Sequence, residues 1–386
     1  VWTRGVATRH KLGATVFDAA LDRLTAVMQD GHRVVVSFSG GKDSTCCVQL
    51  ARIAARLCGY GPIDVVLRDE EIMFPGTYEY CERVANLPDV RFAWVIAGQP
   101  IINAYNRADP FWWVFDEQVP SSEWVREPPP FAIRIPELTM DRVTIPARFP
   151  AAPGKDTLAV IGLRVSESRG RLYGLYSSGG FLTRPNPAGV RNCWPIYDWS
   201  DADVWRAIRE NGWDYNPAYN VMLRMGVPQR RLRIAPPTMS AAGADVLKIA
   251  MHAWPQWFER VARRCPGVRA GAQFGKRAVT PRRRVGDTWQ VTFERECVTE
   301  APEWIRQRAM RYRDLIVSGH AHHSTAPLPE VEACYHCESE SGSWKNLTLQ
   351  LYAGDPFAMK CHSLPPADPD LFRPGSGKWY GKPSWG

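Results

Sequence analysis

Apolar positions along the chain change rhythm several times, and each change marks an element. Across residues 15–29, Val16, Phe17, Ala20, Leu21, Leu24, Val27 and Met28 recur at helical spacing, and Gly31 ends the run. "RVVVSF", residues 33–38, has no polar alternation, which predicts a strand buried on both faces of a parallel sheet. A helix is expected over 44–57, a second buried strand in "IDVVL" (63–67), a helix over 77–87 and a third strand in "VRFAWVI" ending at Ile96. This alternation predicts an α/β fold with a doubly wound, mostly parallel sheet.

Between residues 99 and 156 the periodicity dissolves into a Pro- and Trp-rich stretch that includes "DPFWWVFDEQVP" and "EWVREPPPF". It is too long for an inert loop and reads as a substrate-side insertion. Periodicity resumes with "TLAVIGLR" (157–164), expected as a strand, and "CWPIYDW" (193–199), expected as a short strand. Ser200 then opens a helix over 201–210, with Asp203 placed for a capping box. Beyond Pro236 the pattern is mainly helical, over 241–262 and 302–317, and residues after Gly319 are rich in Pro, Gly, His and Cys. The expected organisation is a nucleotide-binding domain over 1–235 that carries the insertion at 99–156, followed by a smaller, mainly helical Cys/His-containing region over 236–386.

The 386 residues, 45% of them hydrophobic, suffice for a sizeable core in two or three domains. No apolar run approaches the roughly 20 residues that cross a bilayer, and "VWTRGVATRHKLG" lacks the apolar core of a secretory signal. A cytoplasmic protein without a membrane partner is expected. Ten scattered cysteines, two of them the adjacent Cys46 and Cys47 at a helix start, point to reduced thiols or a metal site rather than a secreted disulfide framework. The net charge of +8 favours polyanionic partners, nucleotides or nucleic acid, without distinguishing them from an ordinary basic enzyme.

The sharpest chemical signal is "SFSGGKDS", residues 37–44. A strand that feeds two glycines and then a helix forms a phosphate cradle. Gly40 and Gly41 allow close backbone approach, the helix start aims N–H groups at an anion, and Lys42 adds positive charge. The pattern is not a Walker A loop: the glycine five residues before Gly41 is missing, and Asp43 follows the lysine.

"FSGGKDS" resembles the PP-loop of the adenine nucleotide alpha hydrolase superfamily. That resemblance implies that Ser37, Ser39, Gly40, Gly41, Lys42, Asp43 and Ser44 surround the β- and γ-phosphates of ATP, with Mg²⁺, and that the α–β bond breaks. "IGLRVSESRGR" (161–171) and "PIYDWSDADVW" (195–205) are similar to motifs of the PAPS reductase-like branch. They imply that Gly162 and Arg164 adjoin the nucleotide, that Arg164 and Arg169 contact phosphate or an anionic acceptor, and that Glu167 orients an arginine or the metal. Read from the residues alone, these arginines either neutralise a polyanion or form a surface salt-bridge cluster. Asp69 and Glu70, after the second strand, are candidates for ribose, the adenine amino group or Mg²⁺, or else form a solvated acidic turn. Looser resemblance, in "FWWVFDE", "GVPQRRLRIAPPT" and "SWKNL", extends to IbrA-like proteins.

Sulfonucleotide reductases carry a late Cys-Gly-(Leu or Ile)-His segment, and "SGSGKWYGKPSWG" stands here in that part of the order. This places sulfate reduction second. Cys334 and Cys337, in "CYHC", with Cys361 and His362, in "CH", could hold a structural Zn²⁺ or contribute to an Fe–S cluster, or remain unliganded thiols. Arg282, Arg283, Arg284 and Arg306, interleaved with aromatics, fit a nucleic-acid surface or a solvated helix face. The expected function is an ATP pyrophosphatase that adenylates an acceptor, DNA or tRNA, for sulfur transfer as in DNA phosphorothioation, supplied by a separate cysteine desulfurase-like donor. The alternatives are a PAPS reductase, and a nucleotide-sensing subunit with a ParB-like partner.

Overall fold

The structure, a computed structural model, describes residues 13–135, 144–239, 243–334 and 342–373. The chain divides into two compact units, Val1–Ala97 with Pro128–Ile234 and Gly98–Glu127 with Ala235–Gly386. The Trp-rich stretch expected as an insertion in the first domain is therefore shared: residues 98–127 pack with the second unit.

The strands are β1 (Arg33–Phe38), β2 (Ile63–Arg68), β3 (Val90–Ile96), β4 (Pro100–Ile102), β5 (Phe111–Trp113), β6 (Ile133–Arg134), β7 (Thr157–Val160) and β8 (Val190–Cys193). In the first unit they form a six-stranded sheet in the order β6-β3-β2-β1-β7-β8, with every pairing parallel. The unbroken apolar runs are the central strands, and Val36 lies level with Val65 on one side and Val160 on the other. The helices of this unit are α1 (Val16–Gln29), α2 (Lys42–Cys58), α3 (Thr77–Ala85), α4 (Thr144–Ala147), α5 (Arg169–Ser178), α6 (Asp201–Glu210) and α7 (Ala218–Arg224). Thr15 and Ser200 cap α1 and α6 through reciprocal bonds with Asp18 and Asp203.

From β1 the chain moves outward through α2, β2, α3 and β3, then returns to place β7 on the other side of β1. The crossovers right-handed on one side must lie on the opposite face on the other. Accordingly α1 and α6 pack on α2, whereas Val35, Val66 and Val95 of the opposite face are covered by Ile135 and Ile145. The carboxyl ends of β1 and β7 thus flank the point where the winding reverses, which is where a doubly wound sheet opens a crevice.

In the second unit, β4 and β5 form an antiparallel hairpin. With it are α8 (Ala244–Ala253), α9 (Pro255–Arg264), α10 (Val268–Phe274), α11 (Trp289–Phe293), α12 (Glu303–Ala321) and α13 (Trp344–Leu351). One core gathers Phe293, Cys297, Tyr312, Leu347 and Cys361, and another gathers Phe111, Trp113, Trp304 and Phe372. Among the described residues no helix is long and apolar enough to cross a membrane.

Three expected elements are corrected. The strand expected over 193–199 is instead Val190–Cys193, after which tight turns carry Trp199 N–H back to the Ile196 carbonyl; Pro195 has no N–H to extend a ladder. The strand expected over 157–164 stops at Val160 and gives way to a short 3-10 turn over Val165–Glu167. The helix expected over 241–262 breaks at Trp254, because Pro255 can start α9 but cannot continue α8.

Candidate nucleotide site

Ser39, Gly40 and Gly41 make the turn from β1 into α2. Gly40 has φ +71°, and a Cβ there would lie 2.9 Å from Thr77 Cγ2 and 3.0 Å from Cys81 Sγ. Only glycine fits this turn without displacing α3. The Ser44 hydroxyl accepts from Ser39 N–H at 3.2 Å and donates to the Gly41 carbonyl, so the loop is braced from within. Asn216 Nδ2 donates to the Gly40 carbonyl at 3.0 Å and to Thr77 Oγ1 at 2.8 Å. No side chain caps the start of α2, but Lys42 N–H donates to the Tyr219 hydroxyl at 2.9 Å. One of the N–H groups expected to face an anion is therefore already engaged. Ser37 sits half-buried on β1, two residues before the turn.

Charge converges on this turn from three segments. Lys42 and Arg164 are each only 4% exposed. Lys42 Nζ lies 2.9 Å from Asp43 and 3.2 Å from Asp201. Arg164 meets Asp43 through Nε, and its Nη2 lies 3.2 Å from Glu167 and 3.5 Å from Asp201. Asp43 Oδ1 and Arg164 Nε are buried and ion-paired, yet make no hydrogen bond. Glu167 also pairs with Arg171, and Arg233 stands 4.0 Å from it. Arg164 can reach Asp43 because Gly162 packs on the α2 backbone: a Cβ at Gly162 would fall 2.8 Å from the Asp43 carbonyl carbon.

Lys42, Asp43, Arg164 and Glu167 are thus brought together, joined by Asp201, Arg171 and Arg233. Arg169, the first residue of α5, is exposed and stands at a helix start without an acidic residue in its first turn. Asp69 is fully buried, and its two oxygens accept from Glu71 N–H at 2.9 Å and Trp94 Nε1–H at 2.8 Å. Glu70 pairs with Arg68. Both acids lie just after β2, and Asp201 is a further carboxylate at the glycine turn. The sequence showed Asp201 only as a first-turn acid of α6. Tyr219 and Asn216 carried no local signal, since their partners lie 177 and 176 residues away.

Burial raises the Cys46 and Cys47 thiols well above their ordinary range, and pushes Cys193 up to about 12. These thiols are packing groups beneath the loop, without thiolate character. In the second unit, Cys361 is fully buried in the core, and burial pushes its thiol up to about 12. Its N–H donates to Asp355 at 2.8 Å. Cys334 is half-buried, His362 is exposed, and Cys337 lies outside the described residues. Among the described residues no three His, Cys, Asp or Glu side chains gather as a metal-holding group.

Of the basic candidates, Arg282, Arg283 and Arg284 are exposed, with Arg283 stacked 5.5 Å from the Trp289 ring centre and Arg284 3.6 Å from Glu300. Arg306 is differently placed. It donates to the Val298 carbonyl at 2.8 Å and pairs with Glu303 at 2.9 Å, stapling the start of α12.

No family model matches the sequence. The uncharacterized protein YbdN of Escherichia coli (strain K12) is 31% identical over 247 residues, which cover 58% of this chain and 59% of that protein. The chain thus spans less than two thirds of this curated relative. Among solved structures, a phosphoadenylyl-sulfate (PAPS) reductase from Candida auris, in its phosphate complex, aligns with 59% of this chain and 97% of its own, at 13% identity and a TM-score of 0.31.

Proposed function

We propose that the chain is a PP-loop ATP pyrophosphatase that adenylates an acceptor, converting ATP to AMP and pyrophosphate, in the service of sulfur transfer to nucleic acid. The observation that carries this reading is the convergence of Lys42 and Arg164, both buried, on a glycine turn beside the winding reversal of a parallel sheet. Two desolvated cations held by carboxylates at such a turn are suited to a polyphosphate, which offers more negative charge in the same place.

The residues fit ATP with Mg²⁺. Gly40 and Gly41 put no side chain of their own on the turn, and Asp43 and Asp201 are the carboxylates that would hold the ion. Mg²⁺ bound there would neutralise charge that grows on the leaving pyrophosphate. Lys42 and Arg164 would exchange their carboxylate partners for phosphate oxygens, and the N–H groups of Gly40 and Gly41 would bind a third side of the group. Glu167 holds Arg164 and Arg171 in a common orientation. A sulfur donor of cysteine desulfurase type would supply the persulfide.

The test incubates the full chain and Mg²⁺ with α-labelled ATP or with PAPS, in the presence and absence of nucleic acid. AMP and pyrophosphate from ATP support the reading, and Lys42→Ala should abolish both nucleotide binding and turnover. Sulfite released from PAPS would replace it with a sulfonucleotide reductase. ATP binding without turnover would replace it with a nucleotide-sensing subunit.

A further inference from the structure

Helix α5 follows the Arg164–Glu167 segment directly and, over its ten residues, buries none of them. Tyr173 and Tyr176 are 72% and 68% exposed. Their spacing from Arg169, four and seven residues on, places all three on one face of the helix. The sequence Arg169–Ser178 contains no acidic residue, and Arg171 and Arg233 both turn toward Glu167 beside the PP-loop. The Arg171 guanidinium is lowered from its ordinary value by burial, and by Arg233 and Arg164 close to it. Positive charge therefore accumulates at the α5 start beyond what its carboxylate neutralises.

We propose that the exposed α5 face binds single-stranded nucleic acid, with bases stacked on Tyr173 and Tyr176 and phosphate held by Arg169, so that the strand is led past Arg171 and Arg233 to the PP-loop. This rests on the adenylation reading and names its acceptor. Three features select this occupant. A tyrosine ring presented to water with an arginine beside it offers a stacking platform and a phosphate contact together. Residues three apart on one helix face have Cβ atoms about 5–6 Å apart, so neighbouring bases of an unstacked strand can each meet one ring. A second copy of the chain would bring the same arginines against each other. Unpaired bases are required because a duplex hides its base faces.

Binding of a fluorescein-labelled 24-nucleotide oligo-dT to the full chain, followed by anisotropy at two salt concentrations, tests this. Y173A/Y176A should weaken binding about tenfold or more and leave the salt dependence unchanged, while Y173F/Y176F should bind like the parent. Arg169→Ala should weaken binding and reduce the salt dependence. Unchanged affinity in Y173A/Y176A overturns the proposal. So does tighter binding of a duplex of the same length, or equal competition by poly-glutamate. ATP turnover without nucleic acid is measured in the same proteins: turnover retained with no strand binding defeats only this inference, and strand binding with no AMP formed from ATP defeats only the adenylation reading.

Discussion

The two units both concentrate arginine, and they use it in opposite ways. At the glycine turn after β1, Lys42 and Arg164 are buried and face side-chain carboxylates that come from three separate segments. In α12, Arg306 and Arg308 are anchored largely by backbone carbonyls, Arg308 by those of Gly354, Asp355 and Pro365. A guanidinium bonded to carbonyls keeps its charge but commits its donors to closing a loop. One bonded to side-chain carboxylates can trade them for phosphate. A basic run in sequence is therefore a poor guide to where an anion binds, and the partners of each arginine decide.

This contrast can be broken in order of expected effect. Arg164→Ala takes from Asp43, Glu167 and Asp201 the cation they share and leaves only Lys42 and Arg171 beside them; a loss of about 1–3 kcal/mol of stability is expected, with AMP formation from ATP abolished. A urea midpoint together with the labelled-ATP assay reads both, and an active variant would remove Arg164 from the site. Gly40→Ala should cost about 1–3 kcal/mol through strain at positive φ and weaken ATP binding at least tenfold, as titration calorimetry would show.

In the second unit, burial pushes the Asp109 carboxyl up to about 6. The folded protein then keeps a proton that the unfolded chain has released from about pH 4 upward, so stability falls as the pH rises toward 6 and stays lowered above it. Asp109→Asn should remove that fall and add roughly 2 kcal/mol at pH 7, visible as a higher urea midpoint at pH 7 than at pH 4 relative to the parent. Arg306→Ala should cost about 1–2 kcal/mol and leave ATP turnover unchanged; altered turnover would refute the stapling role. The smallest effect belongs to the exposed Arg282, Arg283 and Arg284: replacing all three by alanine should change stability by less than about 0.5 kcal/mol.

Much of the first unit was legible along the chain. The run of β-branched residues before Ser39 marked β1, because a strand buried on both faces shows no polar alternation. Ser200 and Asp203 marked the start of α6 through their reciprocal bonds. The strand that ends at Cys193 and the helix that divides at Pro255 share one cause: a proline stops the element although the apolar pattern runs on. Asp69 shows in the sequence only as an acid after a strand, and packing brings Trp94 and the Glu71 N–H to its oxygens. The Trp-rich stretch carried no period, so nothing local showed that residues 98–127 pack with the second unit.

By itself the sequence determined the alternation of elements and the glycine–lysine turn, because period, β-branching and glycine act over a few residues. Tertiary structure decided which charges meet there. Strand order sets β7 beside β1, bringing Gly162 onto the Asp43 backbone and Arg164 onto its carboxylate. Asp201 and Tyr219 arrive from still further along the chain. Those encounters depend on sheet register and on the close approach of distant backbones, and no local pattern encodes either.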